Sequence, residues 1–197
     1  MAGRYLPGQS LKQVQLMADL GLSATPAREA ALELVVKGLL VHESHRGVRV
    51  AELDSDRVAQ VYGVRALLES EAARLGAVSA SEQTIEKVSR QARAMEAAFA
   101  SNDLARLGAA DGRFHKALYE GAGNPMLLGL IEQMWEQFPR YMLWQRPERV
   151  RQSLQEHGEI AANFARRDAL GTARAVKRHI LHGLDAFNAL LRTQPPV

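Results

Sequence analysis

Beyond residue 52 the chain shows no strand pattern, and this limits its fold more than any other feature. Apolar residues recur at three- and four-residue intervals in one segment after another, the spacing of amphipathic helices. The first segment, roughly 55–77, carries Val58, Tyr62, Leu68 and Ala72 on its apolar side, with Asp54 and Ser55 placed to cap it. Ser81 opens a second to about Phe99, and Asp103 opens a third through Leu118 and Tyr119. Gly121-Ala-Gly-Asn124-Pro125 stops that helix and starts a fourth, over about 125–144, which Pro139 should kink or interrupt. Pro147 begins a fifth through His157 and Phe164, and Asp168 caps the last, which runs through Leu190. Residues 53–197 thus read as an all-α bundle of six helices.

The first 52 residues read differently. Ser10 can cap a helix carrying Leu11, Val14, Leu16 and Leu20, and Gly21 ends it. Thr25 as N-cap and Pro26 at the first helical position start a second helix, which Gly38 stops. Leu39–Glu43 and Val48–Ala51 pattern as two short strands, with Ser44-His45-Arg46-Gly47 as the hairpin tip between them. Helix, turn, helix and a basic-tipped hairpin predict a winged helix-turn-helix over residues 1–52. The expected fold class is mainly α: a winged helix-turn-helix with a small β-hairpin wing, then the six-helix bundle.

Within the bundle, Asp111 and His115 stand four apart, on one face of their helix. His157 and His179 also lie in helical patterns, and the four residues offer one carboxylate oxygen and three ring nitrogens. That set suits a divalent transition metal with positions left open; the same Asp–His spacing also suits a simple pair on a solvated face. There is no cysteine, so disulfides and thiolate coordination are excluded. A formal charge of +3 permits nucleic-acid binding without requiring it. No apolar run approaches the ~18 residues that span a bilayer, and no signal-peptide core is present, so a cytoplasmic protein without a membrane partner is expected.

Leu22-Ser-Ala-Thr-Pro-Ala-Arg-Glu-Ala-Ala-Leu32, Gly38-Leu39-Leu40 and the Arg46-Gly47 turn resemble the DNA-binding domain of GntR-family transcriptional regulators. The resemblance implies that the second helix enters the major groove of double-stranded operator DNA. Arg28 would read bases with its two-pronged guanidinium, Ser23 and Thr25 would meet phosphates, and Arg46 would be the wing contact. Two departures stand out. Ala24 stands where the family usually has an arginine, and the sequence starts almost at Pro7-Gly8, a turn that a further helix usually precedes in the family.

Tyr62-Gly-Val-Arg65-Ala-Leu-Leu-Glu69, Asp111-Gly-Arg-Phe-His115, Gly123-Asn124, Glu156-His157 and the late His179 resemble the ligand-sensing FCD domain of the FadR subfamily, in its shorter VanR-type form. This implies one divalent ion held by Asp111, His115, His157 and His179, with zinc the first choice and nickel another fit. His182 would stand behind the ligands or at the surface. A small carboxylate effector would bridge the ion and Arg65, unless Arg65 only pairs with Glu69 or Glu71; Arg140 and Arg146 are further candidates for the cavity. Trp135 and Trp144 are expected in the core or the pocket wall. The resemblance also implies a homodimer on a palindromic operator. Two other functions fit the same residues: a metal-dependent hydrolase, or a DNA-binding protein whose metal is purely structural. No acid–base or nucleophile constellation supports catalysis, so the chain is expected not to be an enzyme.

Overall fold

The computed structural model describes residues 5, 8–43, 47–52, 54–137, 143–144 and 146–193. Its elements are β1 (Ser10–Leu11), α1 (Gln13–Leu20), α2 (Ala24–Val36), β2 (Leu40–Glu43), β3 (Gly47–Val50), α3 (Ser55–Ser79), α4 (Glu82–Ala100), α5 (Leu104–Glu120), α6 (Pro125–Glu136), α7 (Pro147–Ala165) and α8 (Ala169–Thr193). The fold is mainly helical, a winged helix-turn-helix followed by six helices, as expected from the sequence.

The N-terminal segment departs from expectation at Ser10. Rather than capping a helix, Ser10 and Leu11 form a strand antiparallel to β3, and the wing is a three-stranded sheet in the order β1-β3-β2. The reason is the open edge that a two-stranded hairpin leaves on β3. Gly8 N donates to Val50 O (3.0 Å) and Val50 N to Gln9 O (2.9 Å), continuing the pairing outward. Leu11 is thereby buried with Leu16, Leu40 and Val48 in a small core of its own. The second helix starts earlier than expected: Ser23 is the extended N-cap residue of α2, so Thr25 and Pro26 sit within its first turn. Proline is tolerated there because first-turn N–H groups have no helical acceptor.

In the bundle the caps are as the sequence indicates. The side chains of Asp54, Ser81, Asp103 and Asn124 accept hydrogen bonds from the N–H groups of Asp56, Thr84, Arg106 and Leu127. Asp168 Oδ1 does the same for Gly171 N at 2.8 Å. α6 ends at Glu136 rather than near residue 144; Pro139 lies outside the described residues. α3 packs along α8 and α4 along α5, around Phe114, Leu118, Ile131, Phe164 and Phe187. Each such side chain contributes about 1.5–3 kcal/mol by leaving water. Gly76 lets α3 approach α5: a Cβ there would lie 2.6 Å from Leu118 O. Among the described residues, no helix is long and apolar enough to cross a membrane.

The two cores meet at a polar junction. Lys37, just past α2, bridges Glu33 (3.0 Å) and Glu136 at the end of α6 (2.9 Å). Arg57 of α3 donates to Gln137 Oε1 at 2.9 Å, and its guanidinium lies where a Cβ on Gly38 (φ +70°) would be. Exposed pairs of this kind are each worth only about 0–1 kcal/mol. The junction is therefore one that modest forces can rearrange.

Candidate metal centre

Three helices deliver the four expected ligands to one place. Asp111 and His115 come from adjacent turns of α5, His157 from α7 and His179 from α8. The three histidines are each at most 8% exposed, and their candidate ligand atoms lie within 4.8 Å of one another. His115 Nε2 and His157 Nε2 are 3.1 Å apart, and Asp111 Oδ1 stands 3.7 Å from both. Two nitrogens held about 2.0–2.1 Å from one ion at roughly a right angle lie about 3 Å apart, so the donor set fits a divalent transition metal. All donors are nitrogen or oxygen, consistent with zinc or nickel.

The ring orientations have visible causes. His115 Nδ1 is 3.1 Å from Tyr119 Oη, and Tyr119 Oη donates to Glu69 Oε2 at 2.8 Å. Glu69 Oε1 in turn accepts from Arg65 Nε at 2.6 Å. His179 Nδ1 is 2.7 Å from Glu156 Oε2. In both rings the outer nitrogen is engaged by the protein, which leaves Nε2 as the one available to an ion. His182 also serves this arrangement: its Nδ1 is 2.7 Å from Glu156 Oε1, so it steadies the carboxylate behind His179. Burial opposes ionisation of Glu156, but hydrogen bonds from His179 and His182 and the charge of Arg149 outweigh it and hold the carboxyl at about 2.

A cavity of about 60 Å³ opens against the cluster, between α3, α5, α7 and α8. Trp144, Leu107 and Ile180 form apolar wall, and Arg65 and Arg149 supply two cations. Arg65 is 5% exposed. Burial works against its charge, yet Glu69 and Tyr62 hold its pKa above the ordinary value. Of the expected alternatives, the pair with Glu69 is present, and Arg65 also lines the cavity. It pairs with Glu69 through Nε, while Nη1 and Nη2 meet no protein acceptor among the described residues. Glu71 is not its partner; Glu71 pairs with Arg74.

Sequence reasoning passed over Arg149, Tyr119 and the role of Glu69 beyond a salt bridge. The signal for Arg149 was present, since Arg149, Ser153 and His157 are spaced by four and line the cavity as one stripe of α7. Trp135 packs edge-on to His115, with ring centroids 6.4 Å apart. Arg140, proposed for the cavity, and Arg46, proposed for the wing, lie outside the described residues. Ser23, Thr25 and Arg28 are exposed at the start of α2, where a groove-reading helix needs them.

Comparison with known proteins is consistent along the chain. Residues 1–50 match the model of the bacterial regulatory proteins of the GntR family, and residues 60–182 match the FCD domain. The Nta operon transcriptional regulator of Aminobacter aminovorans is 28% identical over 194 residues, covering 95% of this chain and 89% of the relative. The Uxu operon transcriptional regulator of Escherichia coli (strain K12) is 27% identical, covering 89% and 77%. The structure of E. coli McbR/YncC superposes with a TM-score of 0.83 at 22% identity, covering 95% of this chain and 91% of that one. The metal-free FCD domain of TM0439 gives 0.60 at 18% identity, covering 73% and 100%. These relatives are regulators and not enzymes, which removes the hydrolase alternative. With a GntR reader in its first fifty residues and an FCD domain over most of the rest, the chain belongs to the GntR family and is a DNA-binding transcriptional regulator with an FCD effector domain.

Proposed function

We propose that residues 53–197 bind one divalent metal, most simply Zn²⁺ with Ni²⁺ as an alternative, and sense a small organic acid that alters operator binding by residues 1–52. Asp111, His115, His157 and His179 hold the ion. The bound ion supplies positive charge and open positions for a carboxylate oxygen. Arg65 supplies the second anchor. The observation that carries this reading is a pair of guanidinium amino groups that meet no acceptor among the described residues, in a cavity that the four donors also line. Arg140 is a further candidate contact for the acid.

The route to DNA runs through α6. Trp135 touches His115, and the next two residues, Glu136 and Gln137, hold Lys37 and Arg57 at the junction. An effector that prefers one arrangement of α6 would bias that weak junction, and with it α2. In the reader, Arg28 contacts bases, Ser23 and Thr25 contact phosphates, and Arg46 reaches from the wing. The working form is a cytoplasmic homodimer on a palindromic operator.

The decisive experiment has two parts. Anisotropy on DNA from upstream of the protein's own gene should show binding over scrambled DNA that weakens steeply with salt. Arg28→Ala should weaken that binding by about 1–3 kcal/mol and relax sequence preference; unchanged preference would remove Arg28 from base reading. Calorimetry of the metal-loaded chain with small acids should then show binding that Arg65→Ala abolishes while metal content is retained. Metal binding without any acid response would leave the structural-metal reading in its place.

A further inference from the structure

The helix that reads DNA carries an exposed leucine beside its arginine. On α2, Ala31 and Val35 pack against the small core of the reader, while Leu32 turns outward and is 48% exposed. Arg28, also exposed, stands four residues earlier, one helical turn away on the same face. Both line the cleft between α2 and the wing, together with His42 of β2 and Gly47 of β3. A leucine left in water is ordinary on a free surface. Beside a base-reading arginine it would meet the floor of the major groove instead.

What Leu32 can read follows from what the rest of α2 lacks. From Glu29 to Val36 the helix has no side chain that donates a hydrogen bond; its polar members are Glu29 and Glu33, both exposed carboxylates. The next cation, Lys37, is held by Glu33 at 3.0 Å and by Glu136 at 2.9 Å. Beyond Arg28, the acceptors on guanine, adenine and thymine therefore find no side-chain donor on this helix. A leucine pressed over a polar base edge would strand that edge without water or a partner. One feature of the groove suits it, the C5-methyl group of thymine. Four helical residues rise about 6 Å and base pairs stack about 3.4 Å apart, so the two side chains reach positions one or two base pairs apart. We propose that Leu32 is a specificity-determining residue that packs on the methyl group of a thymine one or two base pairs from the guanine read by Arg28. This rests on the reading of α2 as the groove helix and adds to it a base selected without a hydrogen bond.

The test uses duplexes that the full chain selects from a random-sequence pool, with binding measured by anisotropy at fixed salt. 7-Deazaguanine, which lacks the N7 acceptor, replaces each guanine in turn. The position whose penalty disappears in Arg28→Ala is the one that Arg28 reads. Deoxyuridine, which lacks only the methyl group, then replaces each thymine within two base pairs of it on either strand. One of these replacements should weaken binding about fourfold, the effect of leaving one methyl-sized group unburied. In Leu32→Ala the same replacement should cost less than about twofold, as expected once the two groups no longer touch. Leu32→Asn, shorter and polar, should give the same result, and serves if the alanine chain does not fold. A selected site with no thymine in that window, a uracil series without effect, or a penalty that persists in the Leu32 variants overturns this proposal and leaves Arg28 in place. If no guanine responds to Arg28→Ala, base reading by Arg28 falls, and this proposal with it. A chain that selects no duplex removes the groove-helix reading itself.

Discussion

Glu69→Ala is expected to destabilise the helical domain by about 3–5 kcal/mol, the cost of stranding a buried cation. Glu69 is fully buried and Arg65 nearly so, at 0% and 5% side-chain exposure, and they meet at 2.6 Å. Removing the carboxylate leaves the Arg65 guanidinium in the interior without its anionic partner, over the Tyr62 ring 4.8 Å away. It also removes the acceptor of Tyr119, whose hydroxyl stands behind His115. For a chain of this length the thermal midpoint should fall by roughly 6–20 °C. Replacing both partners, as Arg65→Met with Glu69→Leu, should recover much of that loss, because an apolar pair carries no desolvation penalty. The double variant should nonetheless fail to bind an acid. Thermal melts of the three chains check this; a loss below about 1 kcal/mol for Glu69→Ala would mean that Arg65 finds water or another acceptor.

The second large effect is metal loading. An ion present at about one hundred times its dissociation constant should stabilise the folded chain by about 2.7 kcal/mol, provided the unfolded chain does not bind it. That corresponds to roughly 5–10 °C in the midpoint, reversed by a chelator. His157→Ala should abolish the gain. Its ring comes from α7 and stands 3.1 Å from the His115 nitrogen of α5, so losing it unlinks two helices at the site. Glu156→Gln should weaken metal binding less, since it loosens the hold on His179 without removing a donor. A midpoint that ignores zinc and nickel alike would refute the metal site.

Much of the fold was legible because its signals are local. Asn124-Pro125, Ser81 and Asp103 start helices where side-chain oxygens meet free N–H groups, and Gly21 and Gly38 stop helices with φ of +64° and +70°. The spacing of Asp111 and His115 shows that they share a helix face. It cannot show that His157 and His179 come to the same point. Nor could it give Ser10–Leu11 as a strand: two residues carry no period, and only the open edge of β3 makes them one.

What the sequence by itself determined is the order of helices, the reader motif and the identity of the metal-ligand candidates. Each depends on interactions within a few turns of one chain segment. Tertiary structure alone decided that Arg149 joins Arg65 at the cavity, that Glu69 and Tyr119 stand behind His115, and that the cavity has room for a few atoms. Those facts depend on how α3, α5, α7 and α8 pack, and packing between separate segments of the chain leaves no periodic trace in the sequence.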